Sequence, residues 1–393
     1  MNILIVPPSD WVYHPLRTRL HYIFERLSKR HNVHVLEFEM NRWNTHPRAT
    51  PVKLHKARSL PARDLSAYYL VNSPTHFALI SKILKCNAID VVVFANIIPG
   101  LIASATGTFH HATVVCDYLD HFPDSAAIYY DNPALRQLVR AGVDAVLRLS
   151  LGTTDHVVTI SDAFVNLLKC CYCVPPERIS MIPNGVDLER FRPMAREQAL
   201  DRIGFTHVEK FIIVYSGSVE PWNDLETPIE AVRRLSATGL GIHMLIVGGS
   251  LSGGYYQRLL SKYSKAAFVT FTGFVSPTEV PFYLNAADCC IFPARGGTIS
   301  AGVPLKLLEY FACEKLVLTT PNPAVAEEVG NISLVYENLD DLCELLTVVS
   351  GDPEKYQILR QRARMCAEGR SWDEIARKYE CLLMRLCQQD GWS

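Results

Sequence analysis

Residues 291–320, IFPARGGTISAGVPLKLLEYFACEKLVLTT, allow very few ways of folding. Ile291 and Phe292 close a short apolar run that reads as a buried strand, and the glycine-bearing ARGGTISAG after it can neither continue a strand nor start a helix cheaply. Pro304 stands where a first helical turn would begin. From Leu305 the apolar Leu307, Leu308, Phe311 and Ala312 share one helical face, Lys306, Glu309 and Glu314 fall off it, and LVLTT reads as the next buried strand. The stretch is therefore strand, loop, helix, strand. Backbone N–H groups left open at such a loop and at the helix start form a good seat for phosphate.

The same alternation recurs along the chain. Residues 2–6 read as a first strand, residues 16–29 as a helix with its stripe at Leu20, Ile23, Phe24 and Leu27, and residues 33–38, 89–94 and 113–116 as further strands. A second β-α-β series begins at Lys210. Repeated β-α-β units predict an α/β protein with parallel sheets and right-handed crossovers. At 393 residues the chain exceeds one ordinary core, and two domains are expected, with a linker over residues 192–209. Residues 371–386 read as a capped terminal helix.

Composition narrows the class. Hydrophobic residues at 49% and charged ones at 20% exclude a disordered chain. The longest apolar tract, residues 91–105, is broken by Asn96, Pro99 and Gly100 and falls short of a spanning helix. MNILIVPPSD reads as a strand and turn and not as a secretory leader, and the twelve cysteines lack a disulfide-like rhythm, so a cytoplasmic location is expected. Cys170 and Cys173 make a C-x-x-C without the further ligands of a zinc site. Residues 1–192 hold 20 Lys+Arg against 16 Asp+Glu, and the remainder 19 against 24, so the first half is basic and the second acidic.

Three stretches of the first half carry candidate contacts. The loop PPSDWVYHP after the first strand offers Trp11 and His14 to a ligand in the cleft, or is a surface turn that touches nothing. CDYLDHFPD follows the strand at 113–116, and strand ends in open α/β sheets feed the ligand crevice, which places Asp117, Asp120 and His121 within reach of a substrate; an aspartate capping the next helix is the equal alternative. From Arg42 to Arg63 there are six basic residues with Trp43, His46 and His55, and no acidic one. That stretch could lie against anionic lipid headgroups at a membrane's inner face, or against a phosphorylated ligand, or be a solvated loop and strand edge. No recognised module points to nucleic acid.

GVPLKLLEYFACEKLVLTT resembles the donor-site signature of the retaining glycosyltransferases of family 4, and ISMIPNGVDLERFRP (residues 179–193) resembles the segment that closes their N-terminal domain. The resemblance implies a GT-B fold: two Rossmann-like β/α/β domains facing across a cleft, here 1–192 on the acceptor side and 193–372 on the nucleotide-sugar side, with 373–393 as a terminal helix crossing back to the first domain. In the family's motif of two glutamates, Glu309 takes the second position, which bonds the ribose; Ala301 stands at the first. Pro304, Lys306, Glu309 and Tyr310 match a variant of the motif without the first acid. FIIVYSGSVEPWNDLETPIEAVRRL is similar to the family's phosphate loop, with Gly217 kept and Ser218 and Asn223 at the positions of its arginine and lysine. Gly273, Phe274 and Val275 would meet the base, and Ser300, Ala301, Gly302 and Leu305 the donor.

The expected activity is transfer of a sugar from a nucleotide-sugar co-substrate to a glycan, lipid-linked or small-molecule acceptor, with retention, without a metal and with no further cofactor. Lys306, Arg295 and loop N–H groups would bear the charge of the leaving diphosphate; Asp117, with His121, would serve the acceptor or the sugar. Two rivals stand beside it: a nucleotide-sugar 2-epimerase on the same fold, and a catalytically silent nucleotide-sugar-binding subunit.

Overall fold

In a computed structural model the described residues are 1–14, 16–40, 46–62, 65–127, 130, 132–205, 210–250, 253–295 and 302–389. The chain divides into two compact units, Met1–Pro183 together with Trp372–Ser393, and Asn184–Ser371.

Unit 1 is a seven-stranded parallel sheet. Its strands are β1 (Asn2–Val6), β2 (Asn32–Phe38), β3 (Lys53–Ala57), β4 (Val91–Phe94), β5 (Thr113–Tyr118), β6 (His156–Thr159) and β7 (Ile179–Met181), in the order β3-β2-β1-β4-β5-β6-β7. Near-continuous Val/Ile/Leu runs such as VVVF in β4 are what a sheet covered on both faces requires. The crossovers are α1 (Arg19–Leu27), α2 (Leu65–Val71), α3 (Ser73–Asn87), α4 (Ile98–Phe109), α5 (Phe122–Ala127), α6 (Pro133–Gly152) and α7 (Asp162–Tyr172). Strand order reverses between β1 and β4, and there the loops after the two strands are tied by Asn96 Nδ2 donating to the carbonyls of Pro7 (3.4 Å) and Pro8 (3.3 Å).

Unit 2 repeats the plan with six parallel strands: β8 (Phe211–Ser216), β9 (Ile242–Val247), β10 (Val269–Gly273), β11 (Cys289–Phe292), β12 (Leu316–Thr319) and β13 (Leu334–Val335), ordered β10-β9-β8-β11-β12-β13. Its helices are α8 (Arg196–Ile203), α9 (Glu226–Ala237), α10 (Gly254–Tyr263), α11 (Val280–Ala286), α12 (Leu305–Ala312), α13 (Pro323–Val329), α14 (Leu339–Gly351) and α15 (Gln357–Glu368). Alternation along β8 feeds two cores: Ile212 and Val214 pack with Leu307, Leu308 and Phe311 of α12, while Ile213 and Tyr215 pack with Ile229 and Val232 of α9. The apolar stripe read along residues 305–312 is this buried face.

The last helix, α16 (Trp372–Gln389), belongs to unit 1. Trp372 stacks on Tyr22 of α1 with ring centroids 4.8 Å apart, and Glu380 takes Arg30 (2.6 Å) and His31 (2.7 Å). No helix among the described residues is long and apolar enough to cross a membrane.

Candidate functional site

In unit 2 strand order reverses between β8 and β11, and open α/β sheets bind ligands beyond the strand ends at such a point. Tyr310 of α12 pins the end of β8: its hydroxyl accepts from Ser216 N (2.8 Å) and donates to Ser216 O (3.1 Å). The chain then turns through Gly217 at φ +142°, a conformation open chiefly to glycine. Gly248, φ +137°, lies so close that a Cβ on it would stand 2.0 Å from the Gly217 carbonyl oxygen. Two loops thus meet backbone to backbone.

Lys306, in the first turn of α12, lays its ammonium over this junction. A Cβ on Gly217 would lie 2.7 Å from Lys306 Nζ. Nζ donates to the Tyr215 hydroxyl (3.1 Å), which donates in turn to the Ser218 carbonyl (2.6 Å), and it stands 4.9 Å from the Tyr215 ring centroid and 5.7 Å from that of Phe292. One helical turn on, Glu309 is half-buried and its carboxyl has no hydrogen-bond or ion-pair partner among the described residues. Desolvation pushes Glu309 up to about 7 despite the nearby charges of Arg190 and Lys306, and pulls Lys306 down to about 8 against the pull of Glu309. A positive charge beside an open glycine backbone, with an unpartnered carboxyl a turn away, suits a ligand carrying an anion and hydroxyl groups.

The other donor-side candidates differ in what they offer. Asn223 is buried and donates its amide to the Ser218 carbonyl (3.1 Å), and its backbone bridges to Ala294, so its side chain fastens the loop. Ser218 is half-buried, its carbonyl shared by Tyr215 and Asn223. Arg295 reaches out with its guanidinium 3.8 Å from Asp224 and 5.7 Å from the Tyr255 ring. Gly273 has φ +68° and gives its carbonyl to Gly248 N (3.0 Å); Val275 packs into the core. Phe274 is 67% exposed, its ring packed on Gly249, which leaves an aromatic face to solvent. Gly302 is buried, Leu305 half-buried at the helix start, and the loop between them is anchored by Val303 N donating to Glu328 Oε2 (3.0 Å) and Asn184 Nδ2 donating to Val303 O (3.2 Å). Ser300 and Ala301 lie outside the described residues. Tyr215 and Glu328 escaped sequence reasoning; the one available signal for Tyr215 was a polar-tipped ring at the end of the apolar FIIVYS.

Unit 1 brings two corrections. Asp117 is fully buried because β5 runs on through Tyr118, so it sits inside the strand and not at its end. Arg19 of α1 is its partner, Nε to Oδ2 3.4 Å, and the same guanidinium donates to the carbonyls of Ile182 (2.7 Å) and Pro183 (2.6 Å). Asp117 is therefore a structural counter-ion. Replacing Arg19 by methionine strands that carboxylate, and a loss of about 3–5 kcal/mol is expected in a urea titration. Trp11 is the second correction: at 0% exposure it stacks on His21 with centroids 3.9 Å apart, and its amide donates to Glu37 Oε2 (2.8 Å), so a large ring read as a ligand contact belongs to the core.

The remaining unit 1 candidates stay near the surface or line an opening. His14 is half-buried with Nδ1 against the Leu16 backbone. Asp120 accepts from Ser125 Oγ (2.5 Å). His121 is buried, Nδ1 2.8 Å from the Tyr118 hydroxyl and Nε2 3.5 Å from Asp124 Oδ2. In the basic stretch, Lys53 and Lys56 are exposed on the edge strand β3; Arg42, Trp43 and Arg63 lie outside the described residues.

Residues 16–190 match the family model for Glycosyltransferase Family 4, and residues 197–365 the one for Glycosyl transferases group 1. The chain is 26% identical over 247 residues to a D-inositol 3-phosphate glycosyltransferase 1 of Catenulispora acidiphila, which covers 60% of this chain and 57% of that protein. It spans about half the length of the curated relatives it matches. Among solved structures, sucrose-phosphate synthase from Thermosynechococcus elongatus superposes with a TM-score of 0.79 at 14% identity, covering 98% of this chain and 99% of that one. Anabaena HepE in complex with UDP and glucose gives 0.72 at 15%, covering 98% and 99%. These likenesses show the fold. With two family models spanning its two halves, the chain belongs to the family 4 glycosyltransferases and has their two-domain, Rossmann-like GT-B fold.

Proposed function

We propose that this protein transfers a sugar, with retention of configuration and without a metal ion, from a nucleotide-sugar donor held by unit 2 to a glycan, lipid-linked or small-molecule acceptor held mainly by unit 1. The observation that carries the reading is the Gly217–Lys306–Glu309 grouping at the β8/β11 reversal. Lys306 and the Gly217 backbone take the diphosphate, with Arg295 as a second cation at the rim; Glu309 accepts from the ribose hydroxyls; Phe274 and the backbone of Gly273 and Val275 meet the base; Gly302 and Leu305 flank the phosphates, and Ser300 and Ala301 are assigned to the donor with them. Stabilising the departing diphosphate is the main catalytic task in this arrangement. His121, Asp120 and His14 are assigned to the acceptor side.

That HepE was solved with UDP makes UDP the first probe. A thermal-shift and calorimetric screen of nucleoside diphosphates tests the donor site before any acceptor is known. Absence of binding by UDP and by the other nucleoside diphosphates overturns the reading. Gly217→Ala places a methyl against the Lys306 ammonium in a strained backbone, and the expected calorimetric result is a loss of nucleotide affinity on the order of tenfold. Once turnover is found, proton NMR of the product anomer tests retention, and EDTA is expected to leave the rate unchanged.

A silent donor-binding subunit is the second reading, favoured by Asn223, whose amide is already engaged by Ser218 where a cation would grip phosphate. Donor binding without turnover against a broad acceptor pool would select it. We assign the protein to the cytoplasm, supported by the absence of disulfides among the described residues, with peripheral contact to anionic lipid through the basic stretch. Co-sedimentation with phosphatidylserine vesicles, lost in 0.5 M salt on the order of the screening expected there, checks that contact.

A further inference from the structure

Unit 1 contains an open groove of about 380 Å³, walled by α5, α6 and α7 and floored by His121. That is within the range of roughly 300–1,000 Å³ in which small-molecule sites fall. One face of α6 supplies Gln137, Arg140, Asp144 and Arg148, residues three, four and four apart; α7 supplies Leu167 and Tyr172.

The charges on this wall cancel in place. Arg140 Nε donates to Asp124 Oδ1 (2.6 Å) and Arg148 Nε to Asp144 Oδ2 (2.8 Å), while the Tyr172 hydroxyl donates to Asp144 Oδ1 (2.7 Å). Arg148 also stacks on the Tyr172 ring at 4.8 Å, which fixes both side chains. Burial holds the His121 ring below its usual range, against the pull of Asp124, so it is uncharged at neutral pH. An anion would therefore meet arginines that already have carboxylates, and a cation would meet carboxylates that already have arginines. Hydrogen-bonding capacity remains. Among the described residues the Gln137 amide and the two terminal nitrogens of Arg140 have no partner, and carboxylate oxygens that accept one bond can accept a second. Pro123, Ala141 and Leu167 interleave apolar surface with these groups.

A ligand that offers donors and acceptors at short spacing on an uncharged frame with C–H faces is a sugar. We propose that the groove between α5, α6 and α7 binds a neutral, polyhydroxylated ring, and that it seats a sugar unit of the acceptor. The acceptor role rests on the transfer reading above; the binding itself does not.

The test uses the full chain without nucleotide. Methyl glycosides of neutral hexoses and their disaccharides are titrated by saturation-transfer NMR and calorimetry, with inorganic phosphate in parallel, on the unaltered protein and on Gln137→Ala and Arg140→Ala. Both positions are exposed, and UDP binding reports separately on unit 2. The expected result is saturable binding of at least one glycoside, weakened about fivefold or more in each variant, with UDP affinity unchanged. Binding by none of the glycosides, equal binding to the variants, or binding of phosphate in place of sugar overturns the proposal. Glycoside binding without UDP binding would leave the groove standing and remove the transfer reading; UDP binding without glycoside binding does the reverse.

Discussion

Replacing Glu309 by alanine is expected to lower the affinity for UDP by at least about tenfold, the effect of removing a carboxylate that accepts one or two hydrogen bonds from hydroxyl groups. The carboxyl suits that task because no described residue competes for it: it lies in the first turn and a half of an eight-residue helix, half-buried and without a hydrogen-bond or ion-pair partner among the described residues. Its environment also sets a pH signature. Desolvation raises Glu309 to about 7, so it is ionised only above that value, while Lys306, lowered to about 8, is protonated only below it. Both charged forms coexist best between about 7 and 8. UDP affinity should therefore peak in that window, falling on the acid side as Glu309 gains a proton and on the alkaline side as Lys306 loses one. A Glu309→Gln variant should lose the acid limb and keep the alkaline one, and calorimetry from pH 6 to 9 reads both. An unchanged affinity in Glu309→Ala would remove the carboxylate from the site.

The Lys306→Met variant is expected to lose turnover on the order of 100-fold and, without nucleotide, to melt higher. The second effect follows from the direction of the shift. A lysine whose folded value is depressed contributes stability above its unfolded value of 10.5 and loses it as pH falls through about 8, so at neutral pH the charged ammonium works against the fold. Methionine removes that cost while keeping the stem against Tyr215 and Phe292, and a rise in the apo melting temperature on the order of 2–4 °C is expected. The nucleotide-induced rise in melting temperature should shrink in the same variant. A residue that destabilises the empty protein and steadies the occupied one is what a ligand-binding position looks like. A variant that melts lower and still turns over would mark Lys306 as ordinary packing.

Unit 2 was far more legible in the sequence than unit 1. In residues 305–312 helical periodicity, the leading proline and the polar Lys306 and Glu309 all pointed the same way, and the structure buries the stripe as read. What periodicity could not supply was Tyr215 beneath Lys306, because an aromatic at the end of a buried strand looks like core until its hydroxyl is seen between an ammonium and the Ser218 carbonyl. Unit 1 misled in a consistent way. Asp117 and Trp11 are residue types that make good ligand contacts, but a strand that runs two residues past Cys116 put Asp117 inside the sheet, and a histidine ten positions along gave Trp11 a stacking partner. Both outcomes depend on long-range neighbours, Arg19 for Asp117 and His21 with Glu37 for Trp11, which no local spacing announces. His121 was singled out for its position after a strand, while the α6 and α7 side chains around it went unnoticed because their 3-4-4 spacing looks like any solvated helix face.

Unit 1 is written in two instalments. Its sheet is finished by Pro183, yet the helix carrying Trp372, Ile375, Tyr379 and Leu383, all buried, is made only after the whole of unit 2 has been synthesised. Until then Phe24 and Tyr22 of α1 lack the rings of Tyr379 and Trp372 that cover them, and the earlier-synthesised half waits with apolar surface showing. A nonsense codon near residue 371 would for that reason injure the part of the protein translated first, several hundred nucleotides upstream of the lesion.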